Sequence, residues 1–243
     1  RDHTERMLKG FGYEVQTLSN KISIKGGGSL KACNIEVPSD ISSAAFFMVA
    51  ASIVPGSELI LEGVGINPTR HAVIEILRLM GANIELEDER ELSGEPIANI
   101  RIQHSQLYGI EIPLHLVSIA IDELPILMIA AANAEGETIL AGAKELRVKE
   151  SDRIAAMCKG LEILGIETEE FEDGMRVRGG KLAGGRVDSY TDHRIAMAFS
   201  IAALAASDNV TVMDCANVNT SFPGFVDSLA SLNISITTET HSE

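Results

Sequence analysis

The sequence predicts an α/β fold of three repeated helix–strand units arranged around a pseudo-threefold core, and two observations carry that reading. The first is self-similarity. An aspartate, a long alanine-rich apolar segment, a turn and a β-branched run recur at "SDISSAAFFMVAASIVPGSELILEGVG", "IDELPILMIAAANAEGETILAGAKEL" and "TDHRIAMAFSIAALAASDNVTVMDCANV". The second is another helix type closing each copy, at "TRHAVIEILRLMGANIELE", "SDRIAAMCKGLEILGIETEE" and "FPGFVDSLASLNISITTE": an amphipathic helix, a Gly or Asn stop, then a strand. The copies run roughly over residues 40–103, 113–179 and 187–240.

In chain order, "RDHTERMLKGFGYEVQTL" reads as a partial copy, an amphipathic helix stopped at Gly12 and followed by a strand. The glycine-rich "IKGGGSLKA" near residues 24–32 marks a boundary. Asp40, Asp122 and Asp192 each stand where a helix N-cap belongs, with a carboxylate able to accept from the free amides of the first turn. The helices they introduce are apolar almost all round, which predicts burial. The turns "PGSE", "EGET" and "SDN" then lead into strands at "LILEG", "TILAG" and "VTVMD". Arginines stand at the start of three of the four amphipathic helices, at Arg1, Arg70 and Arg153, and "RGGKLAGG" reads as a hairpin or loop.

Composition narrows the function. With 243 residues, 45% hydrophobic and 23% charged, the chain is long enough for one large or two medium cores. A formal charge of −15 disfavours nucleic acid and anionic lipid as partners. Cys33, Cys158 and Cys215 have no metal-ligand spacing, so three semi-buried thiols in a reducing, cytoplasmic setting are expected. No apolar run reaches the ~18–20 residues that span a bilayer. The opening at Arg1, without Met, reads as a fragment.

Two stretches look chemical. "KELRVKESDRIAAM" crowds Arg147, Lys149, Glu150, Asp152 and Arg153 into the run-up and first turn of a helix, whereas the corresponding stretches of the other copies are much less charged. Cations there cost roughly 0.3–1 kcal/mol each against the helix dipole. A bound phosphate or carboxylate would offset that cost, and a solvated salt-bridge cluster is the alternative. "YTDHRIAM" repeats the arrangement with His193 and Arg194 in the first turn of an apolar helix, and a histidine there can carry a proton. With Asp122 in "IDELP", these helix starts assemble an anion site with proton-transfer groups. No single residue names a reaction.

Taken together, "RDHTERML", "DISSAAFF", "RVKESDR", "DHRIAMAFS" and "TSFPGF", in this order and spacing, resemble the EPSP synthase family (3-phosphoshikimate 1-carboxyvinyltransferase) over essentially the whole chain. The resemblance implies an inside-out α/β barrel, with residues 1–38 the end of an N-terminal domain and 39–243 the C-terminal domain. It implies enolpyruvyl transfer from phosphoenolpyruvate to the 5-hydroxyl of shikimate 3-phosphate on the way to chorismate, without metal or organic cofactor, in a monomeric cytoplasmic parent. Asp122 then contacts the shikimate hydroxyls and accepts the 5-hydroxyl proton, with Lys149 beside the same hydroxyls. Glu150 exchanges protons with the enolpyruvyl methylene carbon, and Arg153 and Arg194 hold phosphoenolpyruvate, with His193 beside them as a relay. Arg1 resembles a shikimate 3-phosphate contact of one branch, while Glu145 and Thr220 stand where other members carry Asn and Lys. The N-terminal lysine-serine and glycine-rich anion motifs of the family fall outside this chain, so half of the site is expected from elsewhere. The other readings are a UDP-N-acetylglucosamine enolpyruvyl transferase, which should carry a catalytic Cys loop upstream, and a non-catalytic acidic scaffold.

Overall fold

The computed structural model describes residues 1–239; residue 240, the last of the third copy, lies outside them with the rest of the C-terminus. Helix α1 (His3–Gly10) leads into the hairpin β1 (Val15–Leu18) and β2 (Lys21–Ile24). The first unit holds α2 (Ile41–Ile53), β3 (Glu58–Gly65), α3 (Ala72–Leu79), β4 (Asn83–Leu92) and β5 (Glu95–Gln103). The second holds α4 (Leu114–Val117), α5 (Leu124–Ala132), β6 (Glu137–Leu140), a 3-10 turn (Lys144–Val148), α6 (Arg153–Ile163), β7 (Glu167–Phe171) and β8 (Gly174–Arg178). The third holds β9 (Gly185–Asp188), α7 (His193–Ala202), β10 (Val210–Met213), a 3-10 turn (Cys215–Asn217), α8 (Val218–Ser221) and α9 (Phe225–Ser231).

The alanine-rich helices make the centre. Every residue of α5 is buried, as is every residue of α2 except Ser43. Helices α2, α5 and α7 pack on one another pairwise, because small side chains on every face allow close approach from several directions. Phe46, Phe47, Phe222 and Phe225 form an aromatic cluster that ties α2 to the third unit.

Antiparallel sheets β3-β5-β4 and β6-β8-β7 flank this helical centre, and among the described residues no sheet closes into a barrel. Strand β3 alternates exposed with half-buried positions, the period of a sheet wet on one face. A parallel contact opens each unit: Ser39 with Val64, Glu111 with Ile139, and β9 with β10. Gly12, Gly81 and Gly165 stop their helices in the left-handed region, and Asn233 does so in the third unit, at φ 61°.

Two expectations about the repeated units fail. The strand expected after Asn233 is absent among the described residues, where 234–239 run as irregular chain with no neighbouring strand to pair with. Asp40 and Asp192 cap their helices, accepting from Ser43 N–H and Arg194 N–H, but Asp122 does not. Helix α5 starts one residue later, with Glu123 at the N-cap and a proline in its first turn. That proline has no amide to satisfy, so the helix start asks less of a capping side chain.

"RGGKLAGG" forms a loop, not a hairpin: β8 belongs to one sheet and β9 to another. A Cβ at Gly179 would lie 1.7 Å from the carbonyl oxygen of Ala134, so the chain passes too close there for a side chain.

The thiols are not all semi-buried. Cys158 is buried, and burial pushes its pKa to about 11, whereas Cys33 and Cys215 are exposed. An alkylating reagent at mild pH should therefore modify Cys33 and Cys215 in the folded chain and Cys158 only after denaturation; labelling of Cys158 at the same rate as the others would contradict this packing. No helix among the described residues is long and apolar enough to cross a membrane.

Candidate active site

The charged run before α6 divides into two parts. Lys144 pairs with Glu172 at 2.5 Å, and Arg147 pairs with Asp152 at 2.8 Å and Glu170 at 2.6 Å while donating to the Phe171 and Glu172 carbonyls. This half is a brace between the 3-10 turn and β7, as the salt-bridge alternative would have it. Asp152 caps α6 by accepting from Ala155 N–H. Lys149, Glu150 and Arg153 turn the other way, toward the starts of α5 and α7.

Arg153 is 1% exposed, an unusual place for a guanidinium. Its Nε donates to Asp192 Oδ2 at 2.8 Å, and its Nη2 donates to Glu150 and, at 3.3 Å, to Asp192 Oδ1. Asp192 is itself fully buried and also accepts from Ser151 Oγ at 3.1 Å. In the sequence Asp192 shows only a capping pattern, and its position directly before His193 and Arg194 is the clue to a further role.

The remaining Arg153 nitrogen, Nη1, is buried, has no hydrogen-bond partner among the described residues and lies 3.9 Å from Asp122 Oδ1. Arg1 Nη2 donates to Asp122 Oδ2 at 2.7 Å, Lys149 Nζ lies 3.6 Å from Oδ1, and Arg194 Nη1 donates to the Asp122 carbonyl at 2.9 Å. Four cations from three segments thus converge on Asp122, three of them at its carboxylate and Arg194 at its carbonyl. Burial raises the Asp122 pKa, but Arg1, Arg194 and Lys149 outweigh it and hold the group at about 2. His193, half-buried beside Arg194, is pushed below its ordinary value by burial and that neighbouring charge, which favours the neutral imidazole.

All the site residues expected from sequence therefore gather here, Arg1, Asp122, Lys149, Glu150, Arg153, His193 and Arg194. Glu145 pairs with Lys149 at 2.5 Å, whereas Thr220 is exposed and donates to Asn217 O at 2.7 Å. Among the described residues no cluster of His, Cys, Asp and Glu could hold a metal ion.

A buried group beside the site gave no sequence signal. Glu123 accepts from Ser42 Oγ, which Arg70 in turn donates to, and Arg70 Nη2 lies 3.7 Å from Glu123. Arg70 thus joins the first unit to the start of α5, as Arg153 joins the second to the start of α7. Burial pushes Glu123 up despite these partners.

Asp122 and Asp192 have folded pKa values below their ordinary 3.8, so the stability they confer is present above about pH 4 and is lost as pH falls through their folded values. Glu123 acts oppositely: its folded value lies above 4.5, so stability declines as pH rises through that region. Urea denaturation across pH 2–7 should show a steep acid-side loss that is reduced in Asp122→Asn. An unchanged acid limb would contradict the cation cluster.

The turn ahead of α7 is strained. Tyr190 and Thr191 both have left-handed φ, 52° and 57°, a conformation costly for a β-branched residue. Asp188 Oδ1 accepts from Tyr190 N–H at 2.7 Å, and Asn217 donates to the Thr191 carbonyl. Thr191→Asn should stabilise the chain by about 1 kcal/mol, measured by urea denaturation, since asparagine tolerates this region. A destabilisation would show the turn unstrained.

Comparisons with known proteins identify the family and the fold. The family model described as "EPSP synthase (3-phosphoshikimate 1-carboxyvinyltransferase)" matches residues 1–229. A 3-phosphoshikimate 1-carboxyvinyltransferase of Methylococcus capsulatus is 60% identical over 236 residues, 97% of this chain and 54% of its own length. One from Alkalilimnicola ehrlichii is 57% identical over 98% of this chain and 53% of its own. The solved EPSP synthase of Acinetobacter baumannii superposes with a TM-score of 0.93 at 55% identity, covering 95% of this chain and 54% of that one. The enolpyruvyl transferase NikO from Streptomyces tendae, at a TM-score of 0.75 and 19% identity over 97% of this chain and 53% of its own, shares the fold. The chain spans about half the length of the relatives it matches.

Proposed function

This chain belongs to the EPSP synthase family, and from that premise we propose that it supplies one half of a site where the enolpyruvyl group of phosphoenolpyruvate passes to shikimate 3-phosphate. The observation that carries the reading is the convergence of Arg1, Lys149, Arg153 and Arg194 on Asp122. Two multiply charged anions need such a surplus of cations, and an oxygen nucleophile needs a carboxylate among them.

In this reading phosphoenolpyruvate sits against Arg194 and the unpaired Nη1 of Arg153, and shikimate 3-phosphate against Lys149 and Arg1. Glu150 gives a proton to the methylene carbon of phosphoenolpyruvate as the 5-hydroxyl oxygen bonds to the adjacent carbon and releases its proton to Asp122. Collapse expels phosphate, which carries off the proton held by Asp122, and the methyl group returns a proton to Glu150, restoring the vinyl group. Asp122, held near pKa 2 without ligand, is a weak base. Binding of two anions offsets the field of the surrounding cations and raises its basicity where the reaction needs it. Neutral His193 relays protons beside Arg194.

Residues 1–38 belong on this reading to a preceding domain that supplies the remaining anion contacts. The exposed apolar side chains Leu18, Ile22, Leu30 and Val37 support that assignment. The parent is a monomeric cytoplasmic enzyme.

Calorimetric titration of phosphoenolpyruvate with shikimate 3-phosphate tests the binding half of the proposal. Affinity should be low, since the contacts come from one side, and should fall about tenfold in Arg194→Gln and in Lys149→Gln. Binding that ignores both substitutions would favour a scaffold without an anion site.

A further inference from the structure

Helix α1 buries none of its residues, so apolar packing does not determine where Arg1 lies. A polar cluster around Asn67 does. Asn67 is 2% exposed, and its Nδ2 donates to Asp2 Oδ1 at 2.7 Å and to Glu95 Oε2 at 2.9 Å. Its Oδ1 accepts from the backbone and hydroxyl of Thr69, both at 2.8 Å. Its carbonyl accepts from Arg70 N–H at 2.8 Å and His71 N–H at 3.1 Å, so the residue is held rigidly from its own side.

Around that amide the first turn of α1 is tied to the first unit. Arg6 Nε donates to Asp2 Oδ2 at 2.9 Å, and its Nη1 donates to Gly94 O at 3.0 Å. His3 Nδ1 lies 2.8 Å from Glu95 Oε1. Asp2 and Glu95 would repel each other at this separation; the two amide protons of Asn67 and the Arg6 guanidinium make their approach favourable. A leucine of similar size would fill the space without donating to either carboxylate.

We propose that Asn67 is a positioning residue, latching Asp2 to Glu95 so that Arg1, the adjoining residue, reaches Asp122. The latch is wholly polar and therefore able to release and reform, while among the described residues the Arg1 side chain hydrogen-bonds to Asp122 alone. Its bearing on catalysis rests on the substrate reading above; the latch itself is a property of the ligand-free chain.

The test is the carboxyl carbon titration of Asp122 by NMR on the unliganded chain. In the parent, Asp122 should remain largely ionised at pH 3. Arg1→Ala should raise its midpoint by about one unit, Asn67→Leu should raise it by a similar amount, and the double variant should raise it no further. Asp2→Ala breaks the latch from the exposed side and should match Asn67→Leu, so a folding failure of the latter leaves the question answerable. A parental midpoint in both latch variants, or additive shifts in the double variant, would overturn the proposal. Loss of the latch would leave anion binding by Arg153 and Arg194 measurable, and failure of the substrate reading would leave this titration unchanged, so the two are separable.

Discussion

Asp192→Ala should lower the unfolding free energy by about 3–5 kcal/mol, the range for removing one partner of a buried ion pair. Arg153 and Asp192 are 1% and 0% exposed, so neither is repaid by water when the other is removed. Glu150 would be left as the remaining carboxylate in hydrogen-bond contact with the guanidinium, and Glu150 is half-exposed. The same change deletes the cap that accepts from Arg194 N–H, worth about 1 kcal/mol alone. Urea denaturation checks this, with a lower midpoint at unchanged slope. Replacing both partners, as Arg153→Met with Asp192→Leu, should recover most of the loss, because the desolvation of two charges is then avoided. A loss under about 1 kcal/mol in the single variant would mean that water reaches the pair.

Asp122→Asn should reduce turnover of the complete site by about 10²–10⁴-fold, the usual contribution of a positioned general base. The amide is isosteric and keeps an oxygen facing Arg1, so binding should change far less than rate. A fall in kcat with little change in KM would separate proton acceptance from anchoring. A raised KM with kcat unchanged would assign Asp122 to binding alone. Stability should change modestly, since Asp122 retains solvent contact and pairs with exposed Arg1.

The repeat was legible because two physical signals agreed in every copy. Uniformly apolar helices specified the centre, and Gly12, Gly81, Gly165 and Asn233 specified where the amphipathic helices stop. The final strand was not legible, because a β-branched run forms a strand only where a partner exists, and partnership is a tertiary fact. Asp122 was misassigned as a cap for a local reason: the capping pattern is satisfied by sequence neighbours, but the start of α5 needs no side-chain acceptor.

The site residues were legible as cations at helix starts, where the dipole disfavours them. Asn67, Ser42 and Glu123 were not. Their significance lies in contacts across units, such as Asn67 to Asp2 and Glu123 to Ser42, which leave no periodicity in the chain. Arg147 shows the converse: it looked as chemical as Arg153, yet its partners Asp152 and Glu170 make it a brace.

The most direct measurement is phosphate release from phosphoenolpyruvate by this chain combined with the N-terminal half of a family member, with and without shikimate 3-phosphate. The account predicts release that requires both protein pieces and shikimate 3-phosphate and that is lost in Asp122→Asn. Association of the two pieces with no such release, or release indifferent to Asp122, would contradict it.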